Sequence, residues 1–308
     1  MWADAQAADL PGIPQFIDEM VEKHQFKRDE LVHVFQRAEH RPDVIAAISA
    51  PATIKPWVEY RASFINASRI DGGVAFWKQY APFLERAEQQ YGVPREIIIA
   101  VIGVETLYGR RPGKHRALDA LPTRACDDAR RAPFFRNELA HLLLLAREQD
   151  FDLLETRSSY AGALGIPQFM PSSYRKYAID FNGNGKVNIL LEPEDAIGSV
   201  ANYLKQYGWK AGEPVAQLAV LGNEAFPVTG DKPLGLAGWA EAGVTPLVKP
   251  QGETPPAWLL DFTVENGKEY WLSYNNFRVI TLYNNSNFYA MSVYQLAQAL
   301  RSAYIATP

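Results

Sequence analysis

Glu105 stands near the end of VPREIIIAVIGVETLYG, a run in which Ile97 to Val104 is apolar on every side except at Gly103. A helix that is apolar all round is buried, so this pattern predicts a central helix with Glu105 close to its C-terminal end. Burial strips hydration from the charged form of a carboxyl and raises its pKa, and the negative end of the helix dipole pushes the same way. A carboxylic acid kept protonated near neutral pH is what general-acid catalysis requires. A structural ion pair with Arg110 or Arg111 is the competing reading, because such pairs also perturb carboxyls.

Two further stretches carry chemistry-bearing residues. In SSYAGALGIPQFMPSS, from Ser158 to Ser173, Gly162, Ala163 and Gly165 remove side chains where a ligand or another backbone could approach. Ser159, Tyr160 and Gln168 offer neutral hydrogen-bonding groups there, and tight helix packing is the competing explanation. In DFNGNGKVN, Asp180, Asn182 and Asn184 alternate, Gly185 is sixth and Asn188 ninth. That is the front half of a calcium-binding EF-hand loop, which supplies oxygen ligands at alternate positions and a glycine at the sixth. The twelfth position, where a bidentate Glu belongs, is Leu191. Calcium sensors pair their EF-hands and expose a Met-rich groove; here there is one loop and 4 Met in all, which argues against a free-standing sensor.

The elements that must position these residues are mostly helices. PQFIDEMVEKHQF and RDELVHVFQRAEH space apolar residues three and four apart, with Asp29 a cap for the second. GGVAFWKQYAPFLERAEQQYG, RNELAHLLLLAREQDFDLL, the stretch from Pro171, EPEDAIGSVANYLKQYGW and NFYAMSVYQLAQALRSA are helical as well. After Trp209 the character changes. EPVAQLAVLG, AWLLDFTV, EYWLSY and FRVITLY read as strands, with Asn266-Gly267 a hairpin turn and PLGLAGWAEAGV a short helix.

A chain of 308 residues is longer than one core usually organises, which predicts two or three subdomains. A net charge of -4 lacks the basic surplus of a nucleic-acid binder. The single cysteine, Cys126, excludes an intrachain disulfide, and its two following acids make it an inert thiol. No run of apolar residues is long enough to span a membrane. The start, MWADAQAADLPG, has neither a basic nor an apolar leader region, which fits either a cytoplasmic protein or one whose signal has been removed.

VIGVETLYG, followed by SSYAGALGIPQFMPSSYRKYAIDFNGNGKVN and DAIGSVANYLKQYGW, resembles the membrane-bound lytic transglycosylase B family, the soluble B-type peptidoglycan lytic transglycosylases of glycoside hydrolase family 103. The resemblance runs from about Tyr60 to about Leu296. It implies a mainly α, α+β protein, with a goose-lysozyme-like catalytic core (76–109, 151–208 and 273–308, with the EF-hand-like loop at 180–195), a helical α domain (1–75 and 110–150) and a small antiparallel β domain (209–272). It also implies cleavage of the β-1,4 bond between N-acetylmuramic acid and N-acetylglucosamine, leaving a 1,6-anhydromuramoyl end, with Glu105 as the single catalytic acid and base.

The residue chemistry is compatible with that. Glycosidases ordinarily use two carboxylates, but no second acid lies in VIGVETLYG or in the matching stretch from Ser158 to Ser173, so the substrate's own acetamido group would assist. Further site residues follow from the resemblance. Ser159 and Gln168 match hydrogen-bonding positions beside the Glu, while Tyr60, Tyr203, Tyr283 and Tyr289 match groove-lining aromatics and Asn284 follows one of them. Arg130 and Arg131 are candidates for stem-peptide carboxylates. The loop becomes a structural calcium clip formed by Asp180, Asn182, Asn184, the Lys186 carbonyl and Asp195, with Glu192 and Glu194 as rivals for the last place. So few charges imply weak binding, on the order of 10⁻⁴ to 10⁻³ M, and no cofactor is implied for the chemistry itself. The partners implied are peptidoglycan strands and other cell-wall enzymes, in the periplasm of a Gram-negative bacterium. The competing functions are a hydrolytic muramidase and a non-catalytic glycan-binding protein.

Overall fold

The computed structural model describes residues 10–49, 55–128, 130–222, 232–250 and 252–306. The chain opens with α1 (Ile13–His24), α2 (Arg28–Gln36), α3 (Pro42–Ser49), α4 (Trp57–Phe64), α5 (Ala67–Tyr91) and α6 (Arg95–Thr106). Each has a physical start or stop. Pro14 lies in the first turn of α1 and left-handed Gln25 ends it. The Asn66 side chain accepts the Arg69 N–H to cap α5, and Gly92, at φ 70°, terminates it. Asp29 does not cap α2: the cap residue is Lys27, whose side chain makes no capping bond, and Asp29 falls in the first turn, where an acid favours the helix dipole.

Next come β1 (His115–Arg116), α7 (Ala117–Asp127), α8 (Ala132–Gln149), β2 (Arg157–Ser158), α9 (Pro171–Tyr177) and α10 (Pro193–Gln206). The last part holds β3 (Ala216–Leu221), α11 (Leu236–Glu241), β4 (Val244–Pro246), β5 (Trp258–Val264), β6 (Gly267–Ser273), α12 (Asn275–Tyr283) and α13 (Asn287–Ala306). One element departs from its sequence reading. FRVITLY, expected as a strand, is helix α12. Its buried residues, Asn276, Phe277, Val279 and Ile280, gather on one side at helical spacing, and burial of that side overrides the β-propensity of Val and Ile. The Asn276 side chain fixes the entry, accepting from Lys210 N–H at 2.8 Å and donating to the carbonyls of Lys210 and Glu213.

The chain divides into two compact units, 1–53 with 105–199, and 54–104 with 200–308. One boundary between them falls within α6 and another within α10.

In the first unit the helices that follow Glu105 in sequence are tied to the N-terminal helices. Glu39 N–H donates to Asp119 Oδ1 at 2.9 Å, Arg41 N–H to Thr123 Oγ1 at 3.0 Å, and Arg136 reaches the Gly12 carbonyl at 3.0 Å. Helix α8 also holds the start of α9, where buried Glu138 accepts both the N–H and the O–H of Ser172, at 2.9 and 2.7 Å.

In the second unit four antiparallel strands lie in the order β4-β3-β6-β5. Trp239 of α11 seals the sheet's core with Val244, Ala257, Leu259 and Leu272, its indole N–H donating to the Ala257 carbonyl at 2.9 Å. The β5–β6 hairpin closes where the turn was expected, but its loop is Glu265-Asn266, and Gly267 pairs with Val264 as the first residue of β6.

Glu138→Ala should remove a buried, charge-assisted cap and lower stability by about 2–3 kcal/mol, read as a lower urea midpoint at unchanged slope. An unchanged midpoint would contradict this account of how α9 is held.

Candidate active site

Helix α6 is buried nearly all round, with Ile98, Ile99, Ala100, Val101 and Ile102 inaccessible to solvent. Glu105, its penultimate residue, is half-buried, and Thr106 is buried. Three consecutive left-handed residues follow: Leu107 at φ 52°, Tyr108 at φ 62° and Gly109 at φ 83°. Arg111 N–H closes the reversal on the Thr106 carbonyl at 2.9 Å. Glu105 thus sits just before a forced change of chain direction.

The small-residue stretch is a tight knot of backbone beside it. Leu164 and Phe169 exchange two backbone bonds of 2.7 and 3.1 Å. Ser159 Oγ accepts from the N–H groups of Ala161 and Ala163, which leaves its O–H as the group to donate. Gln168, left-handed at φ 53°, donates through Nε2 to the carbonyls of Pro112 and Gly165, both at 2.9 Å. Its amide hydrogens pin the knot, so its role for a ligand narrows to the carbonyl oxygen. Gly165, at φ +69°, is pressed so close to the neighbouring chain that a Cβ would stand 2.4 Å from the Ile189 carbonyl oxygen. At Gly162 a Cβ would meet the Leu121 side chain at 2.3 Å. The knot meets the end of α6 through Thr106, whose hydroxyl donates to the Ile166 carbonyl at 2.7 Å.

The aromatic candidates belong to the second unit and form two clusters. Tyr203 lies 4.8 Å from Tyr283, which is roughly parallel to Tyr289 at 6.3 Å. Tyr203 and Tyr289 are buried, the Tyr203 hydroxyl donating to the Leu282 carbonyl at 2.9 Å. Tyr283 is half-buried and Asn284 is exposed at the end of α12. Half-buried Tyr60 packs with Phe64 and Phe288 at 5.1 and 5.6 Å. Arg130 and Arg131 are exposed at the start of α8, and the Arg131 guanidinium lies over the rings of Phe134 and Phe135. Cys126 is half-buried, and burial together with Asp127 pushes its thiol up to about 11, as expected of an inert thiol.

In the 180–195 loop, Asp180 accepts from the N–H groups of Gly183, Asn184 and Gly185, and Asn184 Oδ1 accepts from Lys186 N–H. The side-chain amides of Asn182, Asn184 and Asn188 all converge on one carboxylate, that of Glu192. Asp195, expected to be the last metal ligand, is engaged by backbone. It is fully buried and its two oxygens accept from the backbone of Phe181, Asn182 and Asn188. Burial raises its pKa, those three bonds oppose the rise, and the nearby Glu192 charge adds to it. Among the described residues no group of three or more His, Cys, Asp or Glu gathers as a metal cage. The loop reaches a hard-cation donor set only by adding Asn side chains and main-chain oxygen to Asp180 and Glu192, which fits calcium rather than a thiophilic metal.

An acid at the end of a buried helix is thus tied to a glycine-rich knot that contains no carboxylate of its own. Comparison with known proteins shows the class of the protein. The transglycosylase SLT domain matches residues 9–298. Membrane-bound lytic murein transglycosylase B of Escherichia coli (strain K12) is 44% identical over 308 residues, 97% of this chain and 85% of that protein. Soluble lytic transglycosylase SltB1 from Pseudomonas aeruginosa superposes with a TM-score of 0.89 at 45% identity, over 95% of this chain and 99% of that one. The 2.1 Å structure of Escherichia coli lytic transglycosylase Slt35 in complex with calcium gives 0.91 at 44% identity, over 98% and 96%. The chain belongs to the transglycosylase SLT domain family. It is a lytic murein transglycosylase, an enzyme acting on peptidoglycan, with the lysozyme-like fold that the sequence motifs implied. No described helix is long and apolar enough to cross a membrane.

Gly165→Ala should be among the most damaging single-methyl changes in the chain, because the backbone of Ile189 leaves no room and the φ is left-handed. Its expected signature is loss of soluble folded protein or a fall in stability of more than about 3 kcal/mol. Wild-type thermal stability would disprove the close approach.

Proposed function

We propose that Glu105 is the single acid and base of the reaction. It protonates O4 of the departing N-acetylglucosamine as the C1–O4 bond breaks, and the muramoyl acetamido group stabilises the cationic C1. As a carboxylate, Glu105 then takes the proton from the C6 hydroxyl while O6 bonds to C1, giving the 1,6-anhydro end and restoring the acid. The intramolecular hydroxyl outcompetes water through its effective concentration. What carries this reading is the link between the helix end that bears Glu105 and a knot without any carboxylate, through Thr106 and Ile166.

Ser159 serves as a hydrogen-bond donor and Gln168 as an acceptor beside that acid. Tyr283 and Tyr60 offer ring faces to sugars, with Tyr203 and Tyr289 backing Tyr283, and Asn284 adds an exposed amide. Arg130 and Arg131 bind stem-peptide carboxylates. Peptidoglycan lies outside the cytoplasmic membrane, so we infer a periplasmic enzyme working beside other cell-wall enzymes. Calcium is structural, held by Asp180, Asn182, Asn184, the Lys186 carbonyl and Glu192, and is not needed for the chemistry.

Glu105→Gln should lower turnover of glycan strands by at least about a hundredfold while glycan binding persists. Mass spectrometry of the wild-type products should find anhydro ends, one water lighter than hydrolysed ends. Hydrolysed ends throughout would favour a muramidase, and an active Glu105→Gln would remove Glu105 from its role.

Calcium should raise the melting temperature, and chelation should leave turnover in place. Glu192→Gln should abolish the calcium-dependent rise, whereas Asp195→Asn should lower the melting temperature with and without calcium. The opposite assignment would restore Asp195 as the ligand.

A further inference from the structure

We infer that Thr106 is a positioning residue for Glu105, a role that rests on Glu105 being the catalytic acid. Thr106 is buried, and its hydroxyl is engaged on both sides. It donates to the Ile166 carbonyl at 2.7 Å and accepts the Gly109 N–H at 3.0 Å. One bond reaches the glycine knot, and the other reaches across the left-handed turn that ends α6. The main-chain carbonyl of Thr106 takes a third bond, from Arg111 N–H at 2.9 Å.

The turn needs such a tie. Leu107 and Tyr108 both adopt positive φ, a conformation that ordinary residues enter only when their surroundings over-determine it. Two features hold it here: Tyr108 is buried, and Gly109 lies so near Ile166 that a Cβ there would touch Ile166 Cγ1 at 3.4 Å. Strained backbone of this kind collects where a side chain must be aimed. The residue aimed is the immediate neighbour of Thr106, namely Glu105.

The anchor on the far side is rigid. Ile166 N–H donates to the Ile189 carbonyl at 2.9 Å, and Gly165 is packed against that same carbonyl. Ile189 N–H in turn donates to the Tyr174 hydroxyl at 3.2 Å, which donates to the Val187 carbonyl at 2.8 Å. Thr106 therefore transfers the position of a fixed backbone to the residue beside it. The geometry calls for a hydroxyl at this position, since a side chain must donate and accept at once. Valine has the shape of threonine but does neither, and serine does both.

The test compares Thr106→Val, Thr106→Ser and Glu105→Gln on soluble uncrosslinked glycan strands, with kcat and KM corrected for the folded fraction measured by thermal melting. Displacement of a catalytic group by an ångström costs about a hundredfold in rate. Thr106→Val should therefore lose about tenfold to a hundredfold in kcat, with KM within about twofold of wild type. Thr106→Ser should return kcat to within about threefold, because it keeps both hydrogen bonds. Strand binding by the double variant Glu105→Gln/Thr106→Val should equal that of Glu105→Gln alone. If Thr106→Val does not fold, Thr106→Ala is read in its place by the same criteria. Wild-type kcat in the folded valine variant, a loss explained wholly by its unfolded fraction, or failure of serine to restore the rate would overturn the proposal while Glu105 kept its role. Turnover surviving in Glu105→Gln would instead overturn the catalytic assignment on which it rests.

Discussion

One buried hydrogen bond joins the helix end that bears Glu105 to the glycine-rich knot, the Thr106 hydroxyl on the Ile166 carbonyl at 2.7 Å. It connects stretches sixty residues apart in sequence: the end of a helix with no wet face and a knot of backbone rich in glycine. In net stability such a bond contributes only about 1 kcal/mol. Its importance is geometric. A central helix without a polar face can be packed in only a few ways, and its last turn is where the chain returns to half-buried surroundings. A tie at that point joins the rigid core to the backbone next to Glu105, the acid at the helix's C-terminal end.

The same logic explains the crowding around Ile189. Its carbonyl receives the Ile166 N–H and lies against Gly165, and its N–H meets Tyr174. Burial pushes the Tyr174 phenol up, and its hydroxyl donates to the Val187 carbonyl. Ile189 itself lies within the 180–195 loop. Within that loop two carboxylates divide the work, Asp195 organising buried backbone and Glu192 facing the Asn side chains. A loop with so few charges is closer to a clip than to a sensor.

Much of the function was legible in sequence. The all-round apolar helix could only be buried, which marked Glu105. Alternating oxygen-bearing residues before Gly185 marked the loop, and the glycines of the knot marked a close approach that proved to be Ile189 against Gly165. These are signals of composition and local spacing. Strand, turn and helix readings also survived wherever the local pattern was strong, as in the β5–β6 hairpin. FRVITLY failed because β-branched residues say only that a segment is apolar, and packing chose the helix.

Long-range contacts settled the rest. Gln168 stood out in the sequence as a hydrogen-bonding amide, and the structure shows that Pro112, far off in sequence, and Gly165 take its hydrogens and leave its carbonyl oxygen. Asp195 stood out in the sequence as an acid beside the loop, and the structure adds three N–H groups that it accepts. Thr106 carried no signal at all, since a threonine at a helix end is unremarkable until its partner is known. By itself the sequence determined which residues are chemically able and which stretches must be buried, because both depend on side-chain type and periodicity. Only the tertiary structure decided which of those groups the backbone already engages, because hydrogen-bond partners distant in sequence meet only once the core has packed.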